Sequence, residues 1–225
     1  SGATDAYQPA ERQFQITRKC LEVALELRNP VSIVTKNRLI TRDLDLLCQF
    51  AQWNGVGVLI TLTSLDAELT GKLEPRAARP QARLDTIRQL TAAGVPVGIM
   101  IAPIIPGLTD HEIPKILQAA AEAGAKSAAM IVLRLPFQVK DLFADWLETH
   151  VPGKKARVLS RLRDMRGGEL NVTEWKKRMR GEGPHAENIR NLFVVARRRA
   201  GLQPDLTDLN CTAFRRPGGT QLDLL

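Results

Sequence analysis

Residues 80–133 read PQARLDTIRQLTAAGVPVGIMIAPIIPGLTDHEIPKILQAAAEAGAKSAAMIVL. This stretch decides the fold class. Pro80 opens a helix that Gly94 closes. Val95–Ala102 is an apolar run broken from the next helix by Pro103-Ile-Ile-Pro-Gly107. Thr109 caps a helix to Ala123, Gly124 ends it, and Ser127–Leu133 is a second apolar run. Strands that are apolar along their whole length fit a parallel sheet covered on both faces. Outward from this stretch the alternation continues. Gly57–Leu62 and Val31–Thr35 read as strands, and Leu39–Trp53 and Pro9–Leu27 as helices, with Phe14, Leu21, Ala24 and Leu25 on one face of the latter. Strand and helix in turn predict an α/β fold, either a partial (β/α) TIM-like barrel or a doubly wound sheet. No Gly-x-Gly-x-x-Gly turn follows a strand, which weakens the dinucleotide-binding form.

After Pro136 the pattern becomes helical, over 137–150, 152–165, 172–180 and 187–200. The 225 residues divide into a partial barrel (1–150), a basic helical appendage (151–205) and a flexible tail (206–225). Of 32 Lys and Arg, 14 lie between Val151 and Ala200 against 5 acidic residues, leaving 18 basic and 19 acidic elsewhere. The whole excess of positive charge is in one block, an electrostatic footprint for a polyanion such as DNA. Lys176, Lys177, Arg178 and Arg180 are its candidate nucleic-acid residues, with Trp175 among them to stack on a base. Cys20, Cys48 and Cys211 match no metal spacing and no disulfide framework, which points to a reducing, cytoplasmic setting. Cys20 and Cys48 read as buried core residues. His111, His150 and His185 are scattered and make no metal set. The longest apolar run is too short and too interrupted to span a bilayer.

In parallel α/β folds the chemistry sits at the carboxyl ends of the strands. Here those ends carry Thr4-Asp5, Thr35-Lys36-Asn37, Thr61-Leu-Thr63-Ser64, Leu73-Glu74-Pro75-Arg76 and Pro103–Gly107. Lys36 and Arg76 suit a carboxylate, Asp5 and Glu74 an ammonium or a ribose, and the hydroxyls of Thr4, Thr61 and Ser64 add polar contacts. Pro103, Ile104 and Gly107 leave backbone groups for an adenine-like edge. One pocket for an amino acid joined to a nucleoside is expected.

The motifs TDAYQPAER (4–12), IVTK (33–36), LEPR (73–76), APIIPG (102–107), LRLP (133–136) and RMRGEG (178–183) together resemble the radical S-adenosylmethionine (SAM) proteins often called DNA repair photolyases, relatives of spore photoproduct lyase. The resemblance implies a partial barrel, a 4Fe–4S cluster, SAM as cofactor, an electron donor, and an enzyme acting on nucleic acid. It places Thr4 and Asp5 near the SAM amino group, Lys36 and Thr61 near its carboxylate or ribose, and Pro103–Gly107 at its adenine. The family's Cys-x-x-x-Cys-x-x-Cys is not in these residues. Its ligands are expected upstream, and these residues by themselves are expected not to hold the cluster. No catalytic residue is assigned. The last residues, Gln221-Leu222-Asp-Leu224-Leu225, resemble the peptide with which bacterial repair proteins dock on the DNA sliding clamp. Two other readings stand: a non-catalytic nucleic-acid or clamp-binding module, and a cluster-free barrel lyase with Lys36 as Schiff-base nucleophile.

Overall fold

A computed structural model describes residues 4–172, 174, 177–206 and 208–215, with residues 177 and 178 described as backbone only. Four strands, β1 (Val31–Thr35), β2 (Val56–Thr61), β3 (Val97–Ile104) and β4 (Ser127–Val132), form one parallel sheet in the order β1-β2-β3-β4. Each strand pairs with its sequence neighbour, as in a barrel wall; a doubly wound sheet would reverse its order at a switch point. Val31 opposes Val56, Val58 opposes Val97, and Gly98 opposes Ser127. The outer helices are α1 (Glu11–Phe14), α2 (Ile16–Glu26), α3 (Leu44–Ala51), α4 (Ala67–Leu73), α5 (Pro80–Ala92) and α6 (Ile113–Glu122). The core between helices and sheet holds Leu47, Phe50, Val58, Ile60, Ile87 and Ile99, all at most 1% exposed.

The remaining helices are α7 (Val139–His150), α8 (Pro152–Asp164), α9 (Lys177–Arg180) and α10 (Gly183–Arg199). The expected separation of a basic appendage from the barrel does not hold for α10. Its Ala186, Ile189, Phe193 and Ala196 pack in the same core as the strands. The apolar stripe at spacings of three and four explains this: α10 is basic only on its outer face. α7 and α8 build a second core with Ile105, Leu108, Leu133 and Leu135, beyond the carboxyl ends of β3 and β4.

Other differences from the sequence reading have local causes. The helix expected over 9–27 breaks at Gln15, which is left-handed (φ 52°), so Phe14 leaves the buried face and is 55% exposed. Leu39 to Trp53 begins as a 3-10 turn (Arg38–Asp43), capped by Asn37, before α3. α4 was not anticipated; Asp66 caps it by accepting from Glu68 N and Leu69 N. β3 continues through Pro103 to Ile104. Among the described residues of 172–180, only α9 is helical. Cys20 is exposed, because its helix turns that position outward, and Cys48 is half-buried at the margin of the core. The segment after α10, expected as a flexible tail from 206, runs under the amino ends of the strands. Gln203 bridges Ser127, Leu206 and Leu209 lie over Gly57, Asn210 N donates to Asn54 O, and Arg215 N donates to Leu27 O. No helix among the described residues is long and apolar enough to cross a membrane.

Candidate functional site

The site begins with Asp5, in the loop before α1. Its Oδ1 accepts from Thr35 Oγ1 at 2.6 Å and from Tyr7 N at 2.8 Å, and its Oδ2 accepts from Lys36 N at 2.7 Å. One carboxylate therefore ties the first loop to the carboxyl end of β1. Tyr7 follows it downward, fully buried, and its hydroxyl donates to Asp43 Oδ2 at 3.1 Å. Asp43 also accepts from Arg18 Nη1 at 3.0 Å and from Arg42 Nε at 2.9 Å. Burial alone would push the Asp43 carboxyl up; the Arg42 and Arg18 guanidiniums outweigh it and hold the group below its ordinary value. Burial, and then Asp43, push the Tyr7 phenol upward. Asp5 thus joins the Lys36 backbone to the segment that Tyr7 anchors on Asp43.

Glu74, just past α4, is the second centre. Its Oε1 pairs with Lys36 Nζ and accepts from Thr63 Oγ1 at 3.0 Å; its Oε2 accepts from Arg83 Nη2 at 2.7 Å. Arg83 is only 1% exposed, and it further donates to Thr61 O at 2.9 Å and Ala78 O at 2.7 Å. Burial would raise the Glu74 carboxyl, but Lys36 and Arg83 hold it below its ordinary value. Thr63 also donates to Ala102 O at 3.1 Å, linking this network to the end of β3. Arg83 was not among the residues singled out from sequence. Its signal was a charged residue on the apolar face of α5, at the spacing of Ile87 and Leu90.

The residues expected to share one pocket are divided. Asp5, Lys36 and Arg76 line a cavity of about 570 Å³ together with Gln8, Pro9 and Asn37. Thr61 and Ser64 are buried beneath the strand ends. Ser64 Oγ donates to Glu112 Oε1 at 2.6 Å, and Leu65 N to Glu112 Oε2 at 2.8 Å, so Ser64 fastens β2 to the start of α6. Thr4 is exposed beside Asp5. Pro103, Ile104 and Gly107 lie at the end of β3, with Ile104 fully buried and Gly107 left-handed (φ 82°). They are not among the residues lining the Lys36 cavity. Arg180 is exposed at the end of α9; Lys177 and Arg178 are described as α9 backbone only. Trp175, Lys176, Gln221, Leu222, Leu224 and Leu225 lie outside the described residues.

The cavity offers two cations, two amides and a carboxylate around an apolar rim of Pro9, Ala10 and Ala77. That set fits a zwitterionic amino acid joined to a less polar body. Asp5 already takes three protein donors, so its part is to hold Lys36 in place. Among the described residues no group of His, Cys, Asp or Glu could hold a metal ion.

The model of the Radical SAM superfamily matches residues 2–120. An uncharacterized protein of Mycobacterium tuberculosis is 34% identical over 164 residues, which cover 72% of this chain and 47% of that protein. One of Methanocaldococcus jannaschii is 34% identical over 112 residues, 50% of this chain and 42% of the relative. One of Acidianus two-tailed virus is 35% identical over 106 residues, 47% of this chain and 34% of the relative. The chain spans about half the length, or less, of these relatives.

Proposed function

Since the chain belongs to the radical SAM superfamily, we propose that it is the SAM-binding and substrate-facing part of an enzyme that acts on nucleic acid, of the DNA-repair-photolyase-like kind. The observation that carries the cofactor half is the cavity in which Lys36 and Arg76 converge at the carboxyl end of the sheet. Lys36 Nζ and the Arg76 guanidinium would hold the SAM carboxylate, with Asn37 and Gln8 giving further polar contacts. Glu74 and Arg83 hold Lys36 at its place, and Asp5 fixes the backbone that carries it. Bound there, SAM would supply hydrogen-atom abstraction from the substrate.

The described residues do not fit a 4Fe–4S cluster. We assign its ligands to a segment upstream of these residues, a reading supported by the greater length of the relatives. Nucleic acid as substrate rests on the basic block of 151–200. Glu74 takes Lys36 as an ion-pair partner, which serves electrostatic binding and not attack on a carbonyl. Clamp docking by residues 221–225 is tested by whether that peptide binds the clamp.

The protein expressed from its complete gene and purified without oxygen tests the proposal. With a reductant it should cleave SAM to 5′-deoxyadenosine, and Lys36→Met should weaken SAM binding while leaving iron content unchanged. No iron and no cleavage would overturn the cofactor reading.

A further inference from the structure

A second groove, of about 330 Å³, lies away from the Lys36 cavity. Its walls come from the turn after β3, α8 and α10, and they carry Arg157, Arg161, His111, His185 and Asn188, with one carboxylate, Asp110. Its floor is apolar, with Pro106, Ile189 and Leu192. On α8, Lys154, Arg157 and Arg161 are spaced by three and four residues and share one face, while Val158, Leu159 and Leu162 are buried on the other. Arg157 and Arg161 line the groove, and Lys154 extends their face of the helix beyond it.

The two arginines are held in place from below. A Cβ on Gly107 would meet Arg157 Cγ at 3.3 Å and Arg161 Cδ at 3.2 Å, so both stems lie across a bare backbone. Arg161 Nη1 is further fixed by Asp110 Oδ2 at 3.0 Å. The other nearby carboxylate, Asp164, faces His185 at 3.7 Å. Arg157 has no ion-pair partner among the described residues, although its stem is confined. The opposite wall is the first two turns of α10, the positive end of a 17-residue helix.

We infer that this groove binds the phosphodiester backbone of single-stranded nucleic acid, with phosphates on Arg157 and Arg161 and a sugar–base unit over the exposed Leu192. The two chemistries sit side by side: a cationic wall alone would take any anion, and the apolar floor suits the less polar part of a nucleotide. The groove volume lies at the lower end of small-ligand pockets, about 300–1,000 Å³, which favours one nucleotide of an unpaired strand over a duplex. Pro106 lies just past the carboxyl end of β3, so a strand in the groove approaches the end of the sheet that carries Lys36 and Glu74. The inference rests on the nucleic-acid half of the function proposed above and is independent of its cofactor half.

The test is fluorescence anisotropy with a labelled oligodeoxythymidine, titrated at several salt concentrations. Each single-strand phosphate contact contributes about 0.7 to the slope of log K against log salt. Arg157→Gln, which disturbs no ion pair, should lower the slope by about 0.7, and Arg157→Gln/Arg161→Gln by about 1.4. Arg157→Lys should restore it. Arg198→Gln/Arg199→Gln removes the same charge from exposed positions at the far end of α10 and should change the slope less. Equal effects of the two pairs would reduce the groove to diffuse electrostatics and overturn the proposal, as would no effect of the first pair. Displacement of the oligonucleotide by inorganic phosphate as effectively as by thymidylate would mark a simple anion site and also overturn it. Preference for a duplex of equal length would overturn the single-strand assignment. Iron and SAM play no part in this readout, so its failure leaves the cofactor reading standing.

Discussion

Replacing Glu74 by Gln should cost about 3 kcal/mol of folding stability. The side chain is 10% exposed and takes Arg83, itself 1% exposed, and Lys36, 31% exposed, as partners. Removing one member of a buried pair leaves the other charge uncompensated, which costs about 3–5 kcal/mol. Gln keeps one acceptor for Thr63 or Arg83, and Lys36 can turn to water, so the lower end applies. A chain of this size unfolds in urea with a slope of about 3 kcal/mol per M, so the midpoint followed by circular dichroism should fall by about 1 M. Arg83→Met in the Glu74→Gln background should cost much less than Arg83→Met alone, because the two changes remove the same interaction. A midpoint shift below about 0.3 M, or additive effects, would refute the view that Glu74 is the electrostatic centre of the strand ends.

Tyr7→Phe removes one hydrogen bond to a carboxylate that keeps its arginine donors, and should lower stability by about 1.5 kcal/mol in the same assay. Gly107→Ala forces a side chain into a left-handed position 3.2 Å from Arg161 Cδ, and should cost about 1–2 kcal/mol. Asp43 and Glu74 are both held below their ordinary values of 3.8 and 4.5, so their stabilisation is complete above those values and lost as pH falls through the folded ones. The melting temperature should therefore stay level between about pH 5 and 7 and fall below about pH 4; a fall centred above about pH 5 would contradict the assignment.

The strands were legible because each is an apolar run with a polar end and Gly or Pro nearby. Their order was not, since adjacent and doubly wound pairings use the same local pattern. The α10 helix looked separate because its surface charge dominates its composition, whereas its apolar stripe places it in the core. Asp5, Lys36 and Arg76 meet at one cavity because the loops that carry Asp5 and Arg76 come to the carboxyl end of β1, where Asp5 accepts from Thr35 and from Lys36 N. Sequence could not show that Thr61 and Ser64 would be buried as scaffold, since that depends on Arg83 and Glu112 arriving from other helices. The Arg157–Arg161 groove was equally hidden: it needs a glycine from the end of β3 to lie beneath α8.

The most direct test of the central claim is electron paramagnetic resonance on the complete gene product, purified without oxygen and reduced. The account predicts roughly four irons per chain and a reduced-cluster signal that shifts when SAM is added. It also predicts that Lys36→Met keeps the signal but needs more SAM to shift it. A protein without iron, or a cluster signal that SAM leaves unchanged, would contradict it.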